Sequence, residues 1–122
     1  MASNGTSFIS LTIHYIDLFW KLRCFLLDII SIKEWYTGAN VANTIIDILN
    51  EYNISEKTLA LTTDNASSMV LCGAIVAEKL EEGFNNFDFS HYCCAAHALN
   101  LAISRGMEFI DNSINSTYYI LM

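Results

Sequence analysis

Residues 7–32 carry two β-type patterns back to back, too close together for a crossover helix, and this constrains the topology of everything that follows. Over residues 7–15, Ile9, Leu11, Ile13 and Tyr15 alternate with Ser10, Thr12 and His14, the period-two signature of a half-buried strand. A tight connection at Asp17 to Trp20 leads into a nearly continuous apolar run over residues 21–32. Parallel neighbours need a crossover of about a dozen residues, so these two strands must pair antiparallel. The pattern then switches to alternating helices and strands. An amphipathic helix carries Val41, Ile45, Ile48, Leu49 and Tyr52 on one face. The short strand Thr58-Leu59-Ala60-Leu61-Thr62 follows, then a helix using Met69, Cys72, Val76 and Leu80. A strand over residues 90–94 opens into a last helix with Leu99, Ala102, Ile103 and Ile110. The predicted order is ββαβαβα, an α/β chain built on a mixed sheet.

Composition agrees with a buried α/β core. The chain has 122 residues, enough for one domain, and 53% are hydrophobic against 16% charged, richer in apolar residues than the globular average. Such a balance fits a parallel-sheet core, or a piece whose covering parts lie elsewhere. With no proline and five glycines, long linkers and low-complexity segments are excluded. The net charge of −7, with six scattered cations, counts against a DNA-binding surface on this chain, which would concentrate Lys and Arg. Glu78, Glu81 and Glu82 around Lys79 read as the solvated face of a helix. Cys24, Cys72, Cys93 and Cys94 form no disulfide framework; Cys24 and Cys72 sit in apolar patterns, as small hydrophobes do. The polar start MASNGTS predicts no secretory leader, and the apolar run at 24–32, broken by Asp28, is too short for a membrane span. A reducing compartment follows.

Chemistry concentrates in Thr62-Thr63-Asp64-Asn65-Ala66-Ser67-Ser68-Met69. An acid here stands just beyond a strand and at the mouth of a helix beginning near Ala66, where open α/β sheets bind ligands. One reading makes Asp64 or Asn65 a helix cap. The other makes Asp64 a ligand of a divalent metal, since Mg²⁺ takes hard oxygen donors and one or two carboxylates. A second cluster is His91-Tyr92-Cys93-Cys94-Ala95-Ala96-His97-Ala98-Leu99-Asn100-Leu101. Cys94 and His97 could be half of a zinc site with Cys93 or His91, although a closed site needs four ligands. They could form a nucleophilic dyad, although no third residue is recognisable. They could simply pack the strand-to-helix junction.

In order and spacing, Thr-Thr-Asp-Asn-Ala-Ser followed by Cys-x-x-His-x-Leu-Asn-Leu resembles the catalytic domain of hAT superfamily transposases, including their zinc finger BED domain-containing and RICESLEEPER-like relatives. Upstream, Phe8 to Asp17 with its His14 and Asp17, then Trp20, then Thr37-Gly38-Ala39-Asn40-Val41, match the same family. The resemblance implies that residues 1–122 are one partial ribonuclease H-like catalytic domain whose first, central strand is missing. That strand carries the first catalytic acid in an Asp-x-Trp-Thr-Ser-like segment, and Met1-Ala2-Ser3-Asn4-Gly5 looks like its tail. The third acid, a Glu, lies downstream of Met122. Of the metal-binding trio only Asp64 is present, so the chain alone is expected to be inactive. Cys94, His97, Asn65 and Asn100 are implied as active-site support or DNA-positioning residues.

The same resemblance implies Mg²⁺ or Mn²⁺ in the complete parent, with none held tightly by this chain. It implies transposon-end DNA bound through other domains, a homo-oligomer formed through a C-terminal region, no membrane, and a nuclear setting. The rival expectation is a non-catalytic, transposon-derived interaction or DNA-associated regulatory protein. The family pattern fails at Cys93, where Arg is common, at Ser68, where Asn is common, and over Asn115-Ser116-Thr117, where a cation is frequent. Trp20 and Trp35 are expected as core or edge anchors. Without the central strand, the strands at 7–15 and 58–62 should each keep an unpaired edge. The isolated chain is then expected to be marginal, molten or aggregation-prone.

Overall fold

The computed structural model describes residues 7–32, 36–83 and 89–120, with side-chain surroundings between residues 8 and 114. Trp35, and Met1 to Gly5, on which two expectations rest, lie outside the described residues. The element order is β1 (Ser7–Ile16), β2 (Leu22–Ile32), α1 (Gly38–Glu51), a 3-10 turn (Ser55–Lys57), β3 (Ala60–Thr63), α2 (Ser67–Gly83), β4 (Ser90–Cys93) and α3 (Ala95–Ile120). This is the ββαβαβα order read from periodicity, with the short 3-10 turn added.

The strands form two pairs. β1 and β2 are antiparallel, from Ser7 opposite Ile32 to Ile16 opposite Leu22, with a bulge at Leu11/Thr12. β3 and β4 are parallel, running from Ala60 opposite Ser90 to Thr63 opposite Cys93. The mixed sheet therefore stands as two separate halves, β1-β2 and β3-β4. Each strand of these pairs, β1 and β3 included, has one edge without a strand partner among the described residues.

One core joins these parts. Val41, Ala42, Ile45 and Leu49 of α1 interlock with Met69, Cys72, Val76 and Leu80 of α2, over Ile32 and Phe89, with Ile9 and Leu61 packed alongside. Val41, Cys72 and Val76 are fully enclosed. The α1 start is fixed by Thr37, whose Oγ1 accepts from Asn40 N at 3.2 Å. Gly38 lets the two helix starts meet, because a Cβ there would overlap the Ser68 carbonyl oxygen. Lys79 Nζ donates to Asn43 Oδ1 at 2.7 Å across the same pair. The expected inward face of α2 is buried throughout. On α1, Tyr52 is exposed instead, because the helix ends at Glu51 and Tyr52 turns away as its C-cap. Burial raises the Cys72 thiol to about 11, so it stays protonated and inert at neutral pH.

Two further expectations are corrected. Trp20 anchors no core: it stands 87% exposed at the β1-β2 turn beside Leu18 at 97% and Phe19 at 80%. That turn is held by Asp17, whose Oδ1 accepts from Phe19 N and Lys21 N while Oδ2 accepts from Arg23 Nε at 2.7 Å. These contacts, the Lys21 amide first, keep the Asp17 carboxyl below the usual range. They also sustain the left-handed φ of 60° at Trp20, a conformation unusual for a bulky residue. Cys24 is exposed too, with its Sγ 3.6 Å from His14 Nε2 on the neighbouring strand. On α3, Leu99, Ile103 and Ile110 are likewise exposed. Beyond Ile9 and Ile32, many apolar residues of the hairpin and of α3 have the right periodicity and little to cover them among the described residues.

Candidate functional site

The parallel pairing of β3 with β4 decides which residues meet. Both strands end at the same level, so the segments that follow them, Asp64-Asn65 and Cys94, leave the sheet side by side. Cys94 N donates to Thr63 O at 2.6 Å, tying the two exits together. Asp64 is exposed, and its Oδ1 accepts from Ala66 N at 3.0 Å. That bond spans two residues, an Asx turn that aims the chain into α2. It differs from the expected cap, because the first helical carbonyl belongs to Ala66, which receives Met69 N and Val70 N. Asn65 is half-buried, and its Oδ1 lies buried with no hydrogen-bond partner among the described residues.

The remaining sequence-predicted residues are placed less centrally. Cys94 and His97 are half-buried at the start of α3, and Asn100 is exposed one turn further on. Among the described residues, no group of three or more His, Cys, Asp or Glu side chains could hold a metal ion. The zinc alternative built from His91, Cys93, Cys94 and His97 is therefore not assembled: Cys93 is exposed, while the His91 ring turns inward to Thr63. While the Asn65 Oδ1 is enclosed, Asp64 nevertheless presents an exposed carboxylate. That donor chemistry suits a hard cation completing its shell with water, and one carboxylate suits part of a site better than a whole one.

Three residues at this corner stand outside the candidates that the sequence offers. Tyr36 precedes α1, and its hydroxyl donates to Met69 Sδ at 3.4 Å. Partial burial, and then the charge of nearby Asp64, raise its phenol above the ordinary value. Thr63, the last residue of β3, is buried, with its hydroxyl placed between Asp64 O at 3.0 Å and His91 Nε2 at 2.8 Å. Gly73 makes room for that His91 ring, which a Cβ would overlap. A glycine in the middle of an otherwise strong helix was the one available clue.

The architecture is that of a partial ribonuclease H-like α/β domain with an acid at the carboxyl end of a parallel strand. Residues 1–88 match the family model described as the ZBED1 RNase-like domain, and the chain belongs to that family. It is 30% identical over 120 residues to proteins named as the AC and AC9 transposases of Zea mays, in each case across 95% of this chain. It is 29% identical over 100 residues, 80% of this chain, to a protein named as the transcriptional regulator tpeD of Talaromyces stipitatus. The chain spans 15%, 14% and 12% of these relatives' own lengths, respectively. No solved structure matches it. The hAT resemblance read from the motifs is thus borne out.

Proposed function

We propose that residues 1–122 are one part of a hAT-type DNA transposase catalytic domain, contributing Asp64 to a metal site and inactive alone. The observation that carries this reading is the position of Asp64: exposed, one residue past β3, beside the end of β4, in a chain of this family. Phosphodiester cleavage by two metal ions needs several carboxylates to hold both ions against the attacking and leaving oxygens. Asp64 supplies one of them, with Mg²⁺ or Mn²⁺ providing Lewis-acid chemistry when bound. The other acids would come from segments on either side of this stretch in a longer parent. Cys94, His97, Asn65 and Asn100 support that centre or position DNA. The net charge of −7 supports placing phosphate binding at transposon ends in other domains; the family likeness supports self-association through a C-terminal region. The setting is the nucleus, where such DNA is found.

The likeness to a protein named as a transcriptional regulator supports a second reading, in which the fold serves DNA-associated regulation without cleavage. Metal binding separates the two. Mn²⁺ titrated into the isotopically labelled chain should broaden the amide signals of Asp64, Asn65 and Ala66 first, at metal concentrations on the order of millimolar. Asp64→Asn should remove that selectivity. Equal broadening in both proteins would favour the regulatory reading.

A further inference from the structure

We infer that His91 is a positioning residue for Asp64, acting through Thr63 by a directed pair of hydrogen bonds. The inference rests on the metal-site reading above and deepens it. Thr63 Oγ1 carries one proton. A carbonyl oxygen can only accept, and the assignment that satisfies both contacts gives that proton to Asp64 O at 3.0 Å. The 2.8 Å contact from the same oxygen to His91 Nε2 must then run the other way, with the ring donating. His91 is therefore the tautomer protonated on Nε2, and the relay runs Nε2–H to Oγ1, then Oγ1–H to Asp64 O.

Three further features hold this relay in place. Thr63 is buried, so bulk water cannot readily replace its partners. Its carbonyl is bound by Cys94 N at 2.6 Å, fixing the residue to the β4 exit from the main-chain side. The His91 ring lies against Gly73 of α2, where any side chain would displace it. The polypeptide leaving β3 is thus clamped from the neighbouring strand and from the following helix. Asp64, exposed and closing its own Asx turn with Ala66 N, takes its orientation from that clamp. A carboxylate meant to meet a cation with few protein ligands gains most from such prior orientation.

The test uses the whole chain and two magnetic-resonance readouts. Long-range nitrogen–proton spectra of the histidine rings should show the His91 proton on Nε2. The Mn²⁺ titration is then repeated on Thr63→Val, His91→Leu and His91→Gln. Thr63→Val keeps shape and strand propensity while deleting the relay. Relay loss should raise the Mn²⁺ needed to broaden Asp64 and Ala66 by about tenfold or more, in the range seen when outer partners of metal ligands are removed. His91→Gln, whose amide can still donate to Thr63, should restore most of the response. Unchanged α1 amide signals would separate these shifts from unfolding; should His91→Leu not fold, Thr63→Val decides alone. Wild-type Mn²⁺ response in Thr63→Val, or a His91 proton on Nδ1, would overturn the inference. A wild-type chain that does not focus Mn²⁺ at Asp64 would instead overturn the metal-site reading on which it rests.

Discussion

Replacing Gly73 with alanine is expected to destabilise the chain by about 2–4 kcal/mol, although alanine is the better helix former by about 1 kcal/mol. The added methyl would overlap the His91 ring, and forcing extra atoms into a packed site costs about 1–3 kcal/mol. The ring can escape only by abandoning its 2.8 Å contact with buried Thr63. Leaving a buried hydroxyl short of a partner costs about 1–3 kcal/mol more. Loss of helical circular dichroism at a lower denaturant concentration would register the change. His91→Ala in the same background should recover part of the loss by removing the overlap, and a Gly73→Ala protein more stable than the parent would refute this packing.

The second large effect concerns the whole chain. Purified residues 1–122 should unfold at a free energy below the usual 5–15 kcal/mol of a domain, and should self-associate at micromolar concentration. The hairpin exposes Phe8, Ile16, Leu18, Phe19, Trp20 and Leu22, and α3 exposes Leu99, Ile103, Phe109 and Ile110. One edge of β1 and one of β3 add unpaired backbone, which templates pairing between chains. The α1–α2 core is nevertheless closed, with Val41, Cys72 and Val76 out of contact with water. That narrows the expectation from molten to marginal: a small packed centre carrying loosely supported edges. Hydrogen exchange should show the strongest protection in α1, α2 and β3, and little in α3. A monomer with a cooperative transition of ordinary size would contradict this.

The elements were legible because periodicity is a local property. Ile9, Leu11 and Ile13 against Ser10, Thr12 and His14 need only the pleat of a strand to explain them, and those two sets do separate by exposure. The same holds for Met69, Cys72, Val76 and Leu80 on α2. Apolar character does not reveal whether a covering surface is present. Trp20 and Cys24 belong to a hairpin only part of which reaches the core, while Tyr52 lies one residue past the end of its helix. The split into two half-sheets was readable only through the family resemblance, since no residue within β1 or β3 marks an absent neighbour.

The candidate site divides along the same line. Asp64 was found because strand, acid and helix are contiguous in sequence. Thr63, His91 and Gly73 come together across separations that no spacing rule links, from 10 to 28 residues. By sequence His91 reads as a zinc ligand, because a histidine near two cysteines suggests that chemistry first. Its actual partner, a threonine 28 residues earlier, emerges only when β4 pairs with β3.

The central claim, that Asp64 belongs to a transposase metal site, is tested most directly by DNA cleavage in a longer protein. Residues 1–122 would replace the matched stretch of the maize AC transposase, and Mn²⁺-dependent cleavage at the element's ends would be measured with Asp64 and with Asp64→Asn. Loss of several kcal/mol of metal-derived stabilisation predicts a fall of about a thousandfold or more. Cleavage at the same rate by both proteins would contradict the account.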